Sequence, residues 1–356
     1  MRRSLPDPNP HRAELQRIAD ALLDPGCDFG RLHDAAIALH ALCSSIIGIE
    51  DEGSGDAADR DLNLDVGRAL SPRDATRCIL DASRTAAFLR GVHDAIVDLR
   101  GALGDRPVEL LYAGCGPMAP LVLPLTTRFS PRELRLTLVD AHEYSIDSVQ
   151  SLAAALGSKA WISAVWCGDA MAYTPPPGRE PHLLVIETMQ KALEHEPQVA
   201  LTRRLAPILA EGGILVPERI RLMACLADMG AEFVFSDPNT TNPRPPVLPE
   251  RRRLALGTLV ELTKEGLRVG IEPPEGSEAP AATVLVIPDE VATLPDFMIR
   301  TTVDVFGGHR LDDYDSGISY PTLIHHLGRF RAGDRIEFSY EEGPSPGLRV
   351  RRASTP

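Results

Sequence analysis

Residues 108–117, Val-Glu-Leu-Leu-Tyr-Ala-Gly-Cys-Gly-Pro, carry the clearest indication of the fold. A short apolar run that ends in two closely spaced glycines is typical of a buried strand followed by a tight strand-to-helix turn. Gly114 and Gly116 let the backbone turn sharply and approach a ligand, because neither has a Cβ atom. Together with Ala119 they fit the Gly-x-Gly-x-x-(Gly/Ala) spacing of dinucleotide-binding turns. The stretch therefore predicts the first strand of a ligand-binding α/β sheet.

Strand and helix patterns alternate on the carboxyl side of this turn. Further strands are predicted at 134–140, 160–167, 182–187 and 214–217, with helices at 145–156 and 198–209. Repeated strand–helix units form a parallel, doubly wound sheet, whose ligands bind at the carboxyl ends of the strands. Residues 101–218 are therefore predicted to form a Rossmann-like domain.

The regions on either side have different patterns. Apolar residues recur at helical spacing over 13–23 and 32–47, and Ser71-Pro72 predicts an N-cap and the start of a helix that runs to residue 100. Beyond residue 218, short β-type runs alternate with Pro- and Gly-rich turns, which predicts a sandwich or a barrel. The chain thus divides into an N-terminal helical region (1–100), the Rossmann-like domain (101–218) and an all-β domain (219–356).

The composition limits the partners and the location of the protein. Its 356 residues include 37 Lys and Arg against 50 Asp and Glu, and the net charge of −13 argues against general binding to nucleic acid or to anionic membranes. No apolar run reaches the ~18 residues of a membrane span, and the first residues lack the apolar segment of a signal peptide. The six cysteines are scattered without a Cys-x-x-Cys pair, so neither a zinc ribbon nor a disulfide framework is expected. We therefore expect a cytoplasmic protein without a metal ion.

Acidic residues follow three of the predicted strands. A glycine turn alone does not separate NAD sites from S-adenosylmethionine sites, because both use one. An S-adenosylmethionine site also needs an acid for the ribose, an acid for the adenine amine, and polar groups near the reacting methyl. Asp140, Asp169 (followed by Ala170) and Glu187 stand at the ends of the second, third and fourth strands. These positions favour S-adenosylmethionine, and an NAD-linked oxidoreductase is the lesser alternative.

Three further features carry a resemblance to a known family. Glu187 and Glu196 are nine residues apart, Asp81-Ala-Ser-Arg84-Thr85 has an Asp-x-x-Arg-Thr pattern, and 209–218 reads Leu-Ala-Glu-Gly-Gly-Ile-Leu-Val-Pro-Glu. Over about residues 70–340 the chain resembles the protein arginine methyltransferases and their small-molecule relatives. The resemblance implies a class I methyltransferase domain, a β-barrel, and a homodimer formed through an arm at 231–253.

The resemblance also implies roles for individual residues. Glu187 and Glu196 would be catalytic, as the pair that grips a substrate guanidinium, and Arg84 would help to hold the carboxylate of the cofactor. The other residues implied for the S-adenosylmethionine site are Gly114, Cys115, Gly116, Asp140, Asp169 and Ala170.

The departures from the family concern the substrate. Tyr112 stands in the first strand where the family has an acid, residues 69–80 contain no aromatic residue, and the Thr-His-Trp loop of the barrel is missing. These losses favour a small cationic guanidino or amino compound over a peptide. Tyr314, Tyr320 and His325 are candidates for binding it. His325 and His326 would point to opposite faces of a strand, so a shared metal ion is not expected.

A methyl donor with a sulfonium charge and a guanidinium acceptor repel one another unless carboxylates compensate them. The leading interpretation is therefore an S-adenosylmethionine-dependent N-methyltransferase that acts on arginine or a related small molecule in specialised metabolism. The alternatives are an O- or C-methyltransferase on a natural-product intermediate, and a catalytically inactive binding subunit. In simpler interpretations, Glu196 belongs to a solvated helix start, Arg84 to a surface ion pair, and Cys115 is only a small residue in a turn.

Overall fold

The computed structural model describes residues 9–49, 57–232, 251–272 and 284–353. Its helices are Pro10–Leu23 (α1), Phe29–Ile47 (α2), Pro72–Arg77 (α3), Ala82–Leu103 (α4), Glu143–Ala155 (α5) and Gln198–Leu205 (α6). Its strands are Leu62–Leu64 (β1), Gly67–Ala69 (β2), Val108–Ala113 (β3), Leu134–Asp140 (β4), Ile162–Cys167 (β5), Leu183–Ile186 (β6), Ile214–Val216 (β7), Arg219–Ala227 (β8), Arg253–Thr263 (β9), Gly266–Glu272 (β10), Val284–Val286 (β11), Asp296–Phe306 (β12), His309–Leu311 (β13), Thr322–Leu323 (β14), Arg335–Glu341 (β15) and Gly347–Arg352 (β16).

The centre of the molecule is a five-stranded parallel sheet with the order β5-β4-β3-β6-β7. The two central strands β3 and β6 are largely apolar because both of their faces are covered. The chain starts at β3, builds outward to β5, and then returns to the other side of β3 with β6. The strand order therefore reverses between β3 and β6. Ligands bind at this switch point in sheets of this kind. The predicted doubly wound sheet is confirmed.

The N-terminal helices pack against this sheet and against each other. One face of α1 buries Leu15, Ile18 and Leu22, the i, i+3, i+7 spacing of an amphipathic helix. The side chain of Asn9 caps α1, and that of Asp28 caps α2. α4 contacts β3 and β6 of the parallel sheet as well as β12 and β13 of the C-terminal region, so it joins the two parts of the fold.

One prediction in this region is wrong. The helix expected to run from Pro72 to residue 100 is two helices, α3 and α4, with a 3₁₀ turn at Cys78–Leu80 between them. The break occurs because the Asp81 carboxylate accepts a hydrogen bond from the Arg84 backbone amide, which starts a new helix. α4 then continues through Gly101, where an end had been expected, to Leu103.

The C-terminal region is antiparallel, as predicted. One sheet has the order β10-β9-β8-β12-β13 with β14 beside β12, and a second has the order β11-β15-β16. Hydrogen bonds between described residues leave these two sheets separate, so closure into a barrel stays a prediction, as do the domain boundaries at residues 100 and 218. Most of the predicted arm, 231–253, lies outside the described residues. No helix in the described ranges has both the length and the apolar character to cross a bilayer.

Candidate active site

A cavity opens at the carboxyl ends of the parallel strands, at the switch point. It is lined by all nine residues predicted for catalysis and cofactor binding, namely Arg84, Gly114, Cys115, Gly116, Asp140, Asp169, Ala170, Glu187 and Glu196. Tyr314, Tyr320 and His325 do not line it, and their role in substrate binding stays a prediction. The structure therefore brings the local sequence motifs together in one place, as the topology of the sheet requires.

The glycine turn and Asp140 form one side of the cavity. Gly114 and Gly116 have φ values of 73° and 63°, which a residue with a side chain adopts only at a cost. The Gly116 amide donates to Asp140 Oδ2 at 2.8 Å, and the His142 amide donates to Oδ1 at 2.9 Å. A carboxylate accepts about four hydrogen bonds, so Asp140 is held in place and still has acceptor positions for a ligand.

Glu187 follows β6 directly and is fixed by its neighbours on both sides. The buried amide of Gln198 donates from Nε2 to the Ile186 carbonyl at 3.2 Å and accepts from the Thr188 amide at 2.9 Å. One side chain thus satisfies the backbone groups on either side of Glu187. This arrangement aims the Glu187 carboxylate into the cavity that it lines.

The Glu187 carboxylate is only partly compensated. Its Oε2 forms a buried ion pair with Arg84 Nη2, whereas Oε1 is buried and accepts no hydrogen bond from a described residue. Burial raises the pKa of Glu187 from 4.5 to about 7, although Arg84 opposes this effect. Burial also raises the pKa of Glu196, which interacts with Arg84 as well. Two glutamates therefore interact with one largely buried guanidinium, which does not fully compensate their charge.

The segment between Glu187 and Glu196, here called the glutamate loop, has an unusual backbone. Ala192, Leu193 and His195 all have positive φ values, of 57°, 55° and 66°. Residues with a Cβ atom avoid this region, at a cost of roughly 1–2 kcal/mol each. Three such residues close together persist only where surrounding contacts hold the loop.

Those contacts come from the C-terminal sheets. The bonds are from the Ala192 amide to Thr301 Oγ1 (2.9 Å), from the Tyr340 hydroxyl to the Leu193 carbonyl (2.8 Å), and from the His195 amide to the Pro346 carbonyl (2.9 Å). Each bond ends on one of the three residues with positive φ. The C-terminal region therefore supports a loop that begins and ends on the candidate catalytic glutamates.

Thr301 offers a test of this support. Replacing it with Val keeps the shape of the side chain but leaves the Ala192 amide without an acceptor, which is expected to destabilise the loop by about 1–3 kcal/mol. Thr302 is the matched control, because it is equally buried on the same strand and its hydroxyl has no hydrogen-bond partner among described residues. Hydrogen exchange at Ala192 should speed up in Thr301→Val, but not in Thr302→Val or Thr301→Ser. Equal exchange in all three variants would show that this bond does not hold the loop.

The hairpin of β1 and β2 forms another wall of the cavity, lined by Leu64, Arg68 and Ala69. Just before it, the Arg60 carbonyl accepts from His142 Nε2 at 3.1 Å. At its other end, the Arg68 amide donates to the His195 carbonyl at 2.8 Å. Gly67 lies so close to the glutamate loop that an added Cβ atom would be 3.0 Å from three of its backbone atoms. The hairpin thus connects the Asp140 side of the cavity with the Glu196 side.

Asp81 connects the site to a loop of the C-terminal region. Its Oδ2 accepts from Ser316 Oγ at 2.6 Å and from the Gly317 amide at 2.9 Å. The neighbouring Tyr314 belongs to a separate buried ionic network, in which its hydroxyl donates to Glu232. The other members of that network are Arg251, Arg253, Arg300 and Asp313. The Tyr314 side chain therefore stabilises this loop.

Several residues at the site were not predicted from the sequence. Gln198 and Thr301 position the glutamate loop, while Arg68 and Cys78 line the cavity. Burial raises the pKa of the Cys78 thiol, and that of Tyr112 well above its ordinary value, so both groups are neutral. The acid expected by family pattern in β3 would have added a negative charge where Tyr112 adds none. Arg84, predicted to hold the cofactor carboxylate, is bonded to Glu187, and that role stays a prediction.

The arrangement is suited to binding a cationic ligand beside a nucleotide. Acidic side chains at the ends of β4 and β5 can accept from hydroxyl and amine groups, and the glutamates offer uncompensated negative charge. The walls between them are largely apolar, which strengthens each electrostatic contact.

No protein-family model matches the chain, and no curated protein matches it in sequence. Solved structures do match. A Trypanosoma brucei PRMT1 enzyme–prozyme heterotetrameric complex with AdoHcy has a TM-score of 0.50 at 12% identity, over 78% of this chain and 92% of that chain. Arabidopsis thaliana protein arginine methyltransferase 10 has a TM-score of 0.47 at 12% identity, over 75% of this chain and 86% of that one. The first of these shows a shared fold, with N-terminal helices, a Rossmann-like core and a separate antiparallel domain. The predicted order of a helical region, a Rossmann-like core and an all-β region is confirmed, whereas the β-barrel implied by the resemblance stays a prediction.

Proposed function

We propose that the protein is an S-adenosylmethionine-dependent N-methyltransferase that methylates a guanidino nitrogen of arginine or of a related small molecule. One observation carries the proposal: two buried glutamates line a single cavity with one largely buried guanidinium, and one carboxylate oxygen of Glu187 has no donor among the described residues. A buried anion without a full set of partners is unfavourable, so the site favours a ligand that brings positive charge.

The residues present fit the proposed cofactor. The glycine turn leaves space beside Asp140 and Asp169, whose carboxylates can accept from ribose hydroxyls and from an adenine amine. When bound, S-adenosylmethionine would supply an electrophilic methyl group on a sulfonium. The AdoHcy in the Trypanosoma brucei complex supports the same cofactor class here.

The glutamates would act on the acceptor in two ways. Charge-assisted hydrogen bonds from a guanidinium to Glu187 and Glu196 would hold the acceptor and offset its charge. The same bonds would draw positive charge toward the carboxylates, so that one nitrogen keeps its lone pair for attack on the methyl carbon. Because the pKa of Glu187 is about 7, its carboxylate can take up the proton that this nitrogen releases. Positioning and preorganised charge would supply most of the acceleration.

The proposal is tested by incubating the protein with labelled methyl donor and a panel of guanidino compounds, amines, alcohols and peptides. Label on a guanidino nitrogen is the expected result. Label confined to oxygen or carbon would make the protein an O- or C-methyltransferase instead. Failure to bind S-adenosylmethionine at millimolar concentration in calorimetry would point to a binding subunit. A cytoplasmic location, a homodimer, and a place in specialised metabolism belong to the proposal as further predictions.

A further inference from the structure

The Arg68 side chain brings a second unsatisfied group to the cavity. Its Nη1 pairs with Asp61 Oδ2 at 3.2 Å, and Asp61 Oδ1 accepts from the Ser71 amide at 2.7 Å. Its Nε is buried and has no hydrogen-bond acceptor among the described residues. A buried N–H group without an acceptor is unfavourable, and a ligand with an acceptor at this place would relieve it.

Arg68 is held at a defined position relative to the glutamates. Its backbone amide is bonded to the His195 carbonyl, next to Glu196 in the chain. Its charge acts on Glu196, where it opposes the effect of burial on the pKa of that carboxyl. Two residues that line one cavity thus have an unpartnered atom each among the described residues, the donor Nε of Arg68 and the acceptor Oε1 of Glu187. A ligand that satisfies both has a cationic end and an anionic end.

We propose that Arg68 binds a carboxylate of the methyl acceptor. The acceptor is then a small guanidino compound with a free carboxylate, such as arginine. This inference rests on the proposed function and specifies the end of the acceptor away from the reacting nitrogen. A carboxylate forms a charge-assisted hydrogen bond with a guanidinium, whereas the main-chain amide of an internal peptide residue offers only a neutral carbonyl. The site therefore selects a free amino acid over an arginine inside a peptide.

Matched acceptors test the role of Arg68. Arginine, agmatine (which lacks the carboxylate) and N-acetylarginine amide (which mimics a peptide residue) share the guanidinium and differ at the other end. Wild type is expected to show kcat/KM for arginine about tenfold or more above that for the other two. Arg68→Gln should remove most of this preference by lowering the value for arginine alone, and Arg68→Lys should keep part of it.

Arg100→Gln is the matched control. Arg100 pairs with Glu133 at nearly the same side-chain exposure (36% and 32%) as Arg68 with Asp61 (38% and 33%), but it does not line the cavity. This variant should keep the preference of wild type. A binding measurement that needs no turnover, calorimetry of each acceptor with S-adenosylhomocysteine present, should give the same order.

The two proposals can fail separately. If wild type methylates agmatine as well as arginine, or if Arg68→Gln lowers all three acceptors equally, the carboxylate site is wrong and methyl transfer stands. A higher kcat/KM for N-acetylarginine amide than for arginine would also overturn it. If no guanidino compound is methylated, the proposed function is wrong, and calorimetry still decides Arg68: equal affinity for arginine and agmatine would overturn its role too.

Discussion

Glu187→Gln is expected to lower kcat/KM for a cationic acceptor by ~10²-fold or more, the effect typical of removing one preorganised electrostatic group. Glutamine keeps the size of the side chain and removes its charge. Arg84 and the bound acceptor, both cations, would then face only Glu196, and the repulsion between them would no longer be offset. Methyl transfer from labelled donor measures the loss, while calorimetry should show that the cofactor still binds.

Two other glutamates in the same loop provide comparisons for Glu187→Gln. Glu196→Gln should cause a loss of similar size, because Glu196 lines the same cavity. Glu194→Gln is the control, since Glu194 belongs to the same loop but not to the cavity lining, and it should leave kcat/KM within about twofold. Full activity in both Glu187→Gln and Glu196→Gln, with cofactor bound, would rule out the glutamate pair as the acceptor site.

The pH dependence provides an independent check on the same residue. Because burial raises the pKa of Glu187 to about 7, its carboxyl is protonated below this pH and ionised above it. A cationic acceptor needs the ionised form, so kcat/KM should rise as the pH passes through about 7. Burial raises the pKa of Glu196 too, so both carboxyls contribute to the pH dependence. In Glu187→Gln the step at about pH 7 should be lost, because the carboxyl with that pKa is no longer present.

The raised pKa of Glu187 also affects the stability of the fold. Between pH 4.5 and about 7 the folded protein keeps a proton on Glu187 that the unfolded chain has released. Folding stability from this group therefore falls as the pH rises through that window. The cost is consistent with a binding site, where charge is held ready for a ligand at the expense of the fold.

Residues at strand ends could be predicted because their positions follow from local sequence and topology. Once a run is assigned as a parallel strand, the residue after it must lie at the ligand edge of the sheet. Asp140 and Glu187 were found in this way. Arg84 was predicted through the resemblance. The start of its helix, α4, could also have been predicted from local sequence. Asp81, three residues earlier, is an N-cap residue, and this signal would have revealed the helix break that the apolar periodicity concealed.

The supports of the site could not be predicted because they depend on distant contacts. Thr301 is 109 positions from Ala192 in the chain, and nothing in its own neighbourhood distinguishes it from Thr302. The β1–β2 hairpin has two three-residue strands, too short for a recognisable alternation. Its contact with the glutamate loop appears only in three dimensions. Local patterns and the resemblance therefore identified nine of the residues that line the cavity, but not what holds them there.

Gly67→Ala is expected to lower kcat/KM for the acceptor by about tenfold, through a residue that carries no charge. Its Cβ atom would be 3.0 Å from the Glu196 carbonyl carbon, the His195 carbonyl oxygen and the Pro197 nitrogen. These are backbone atoms that cannot rotate away, so either the hairpin or the glutamate loop must shift. A displacement of about 1 Å at reacting groups can reduce the rate by ~10²-fold, and the smaller shift of a few tenths of an ångström needed here should reduce it by about tenfold.

The effect of this contact can be separated from the effect of backbone strain. Gly67 has φ of +137°, so alanine is strained there whatever the space around it. Gly266, in the β9–β10 turn, has φ of +129° with no atom within 4 Å of an added Cβ. Gly266→Ala thus carries similar strain without the contact and should keep the activity of wild type, while urea unfolding reports the strain in both variants. If Gly67→Ala and Gly266→Ala are equally active, the hairpin does not determine where Glu196 stands. If only Gly67→Ala loses activity, its cofactor affinity is intact, and the loss is equal for arginine and agmatine, the loss comes from the placement of Glu196. A loss confined to arginine would instead come from the neighbouring Arg68.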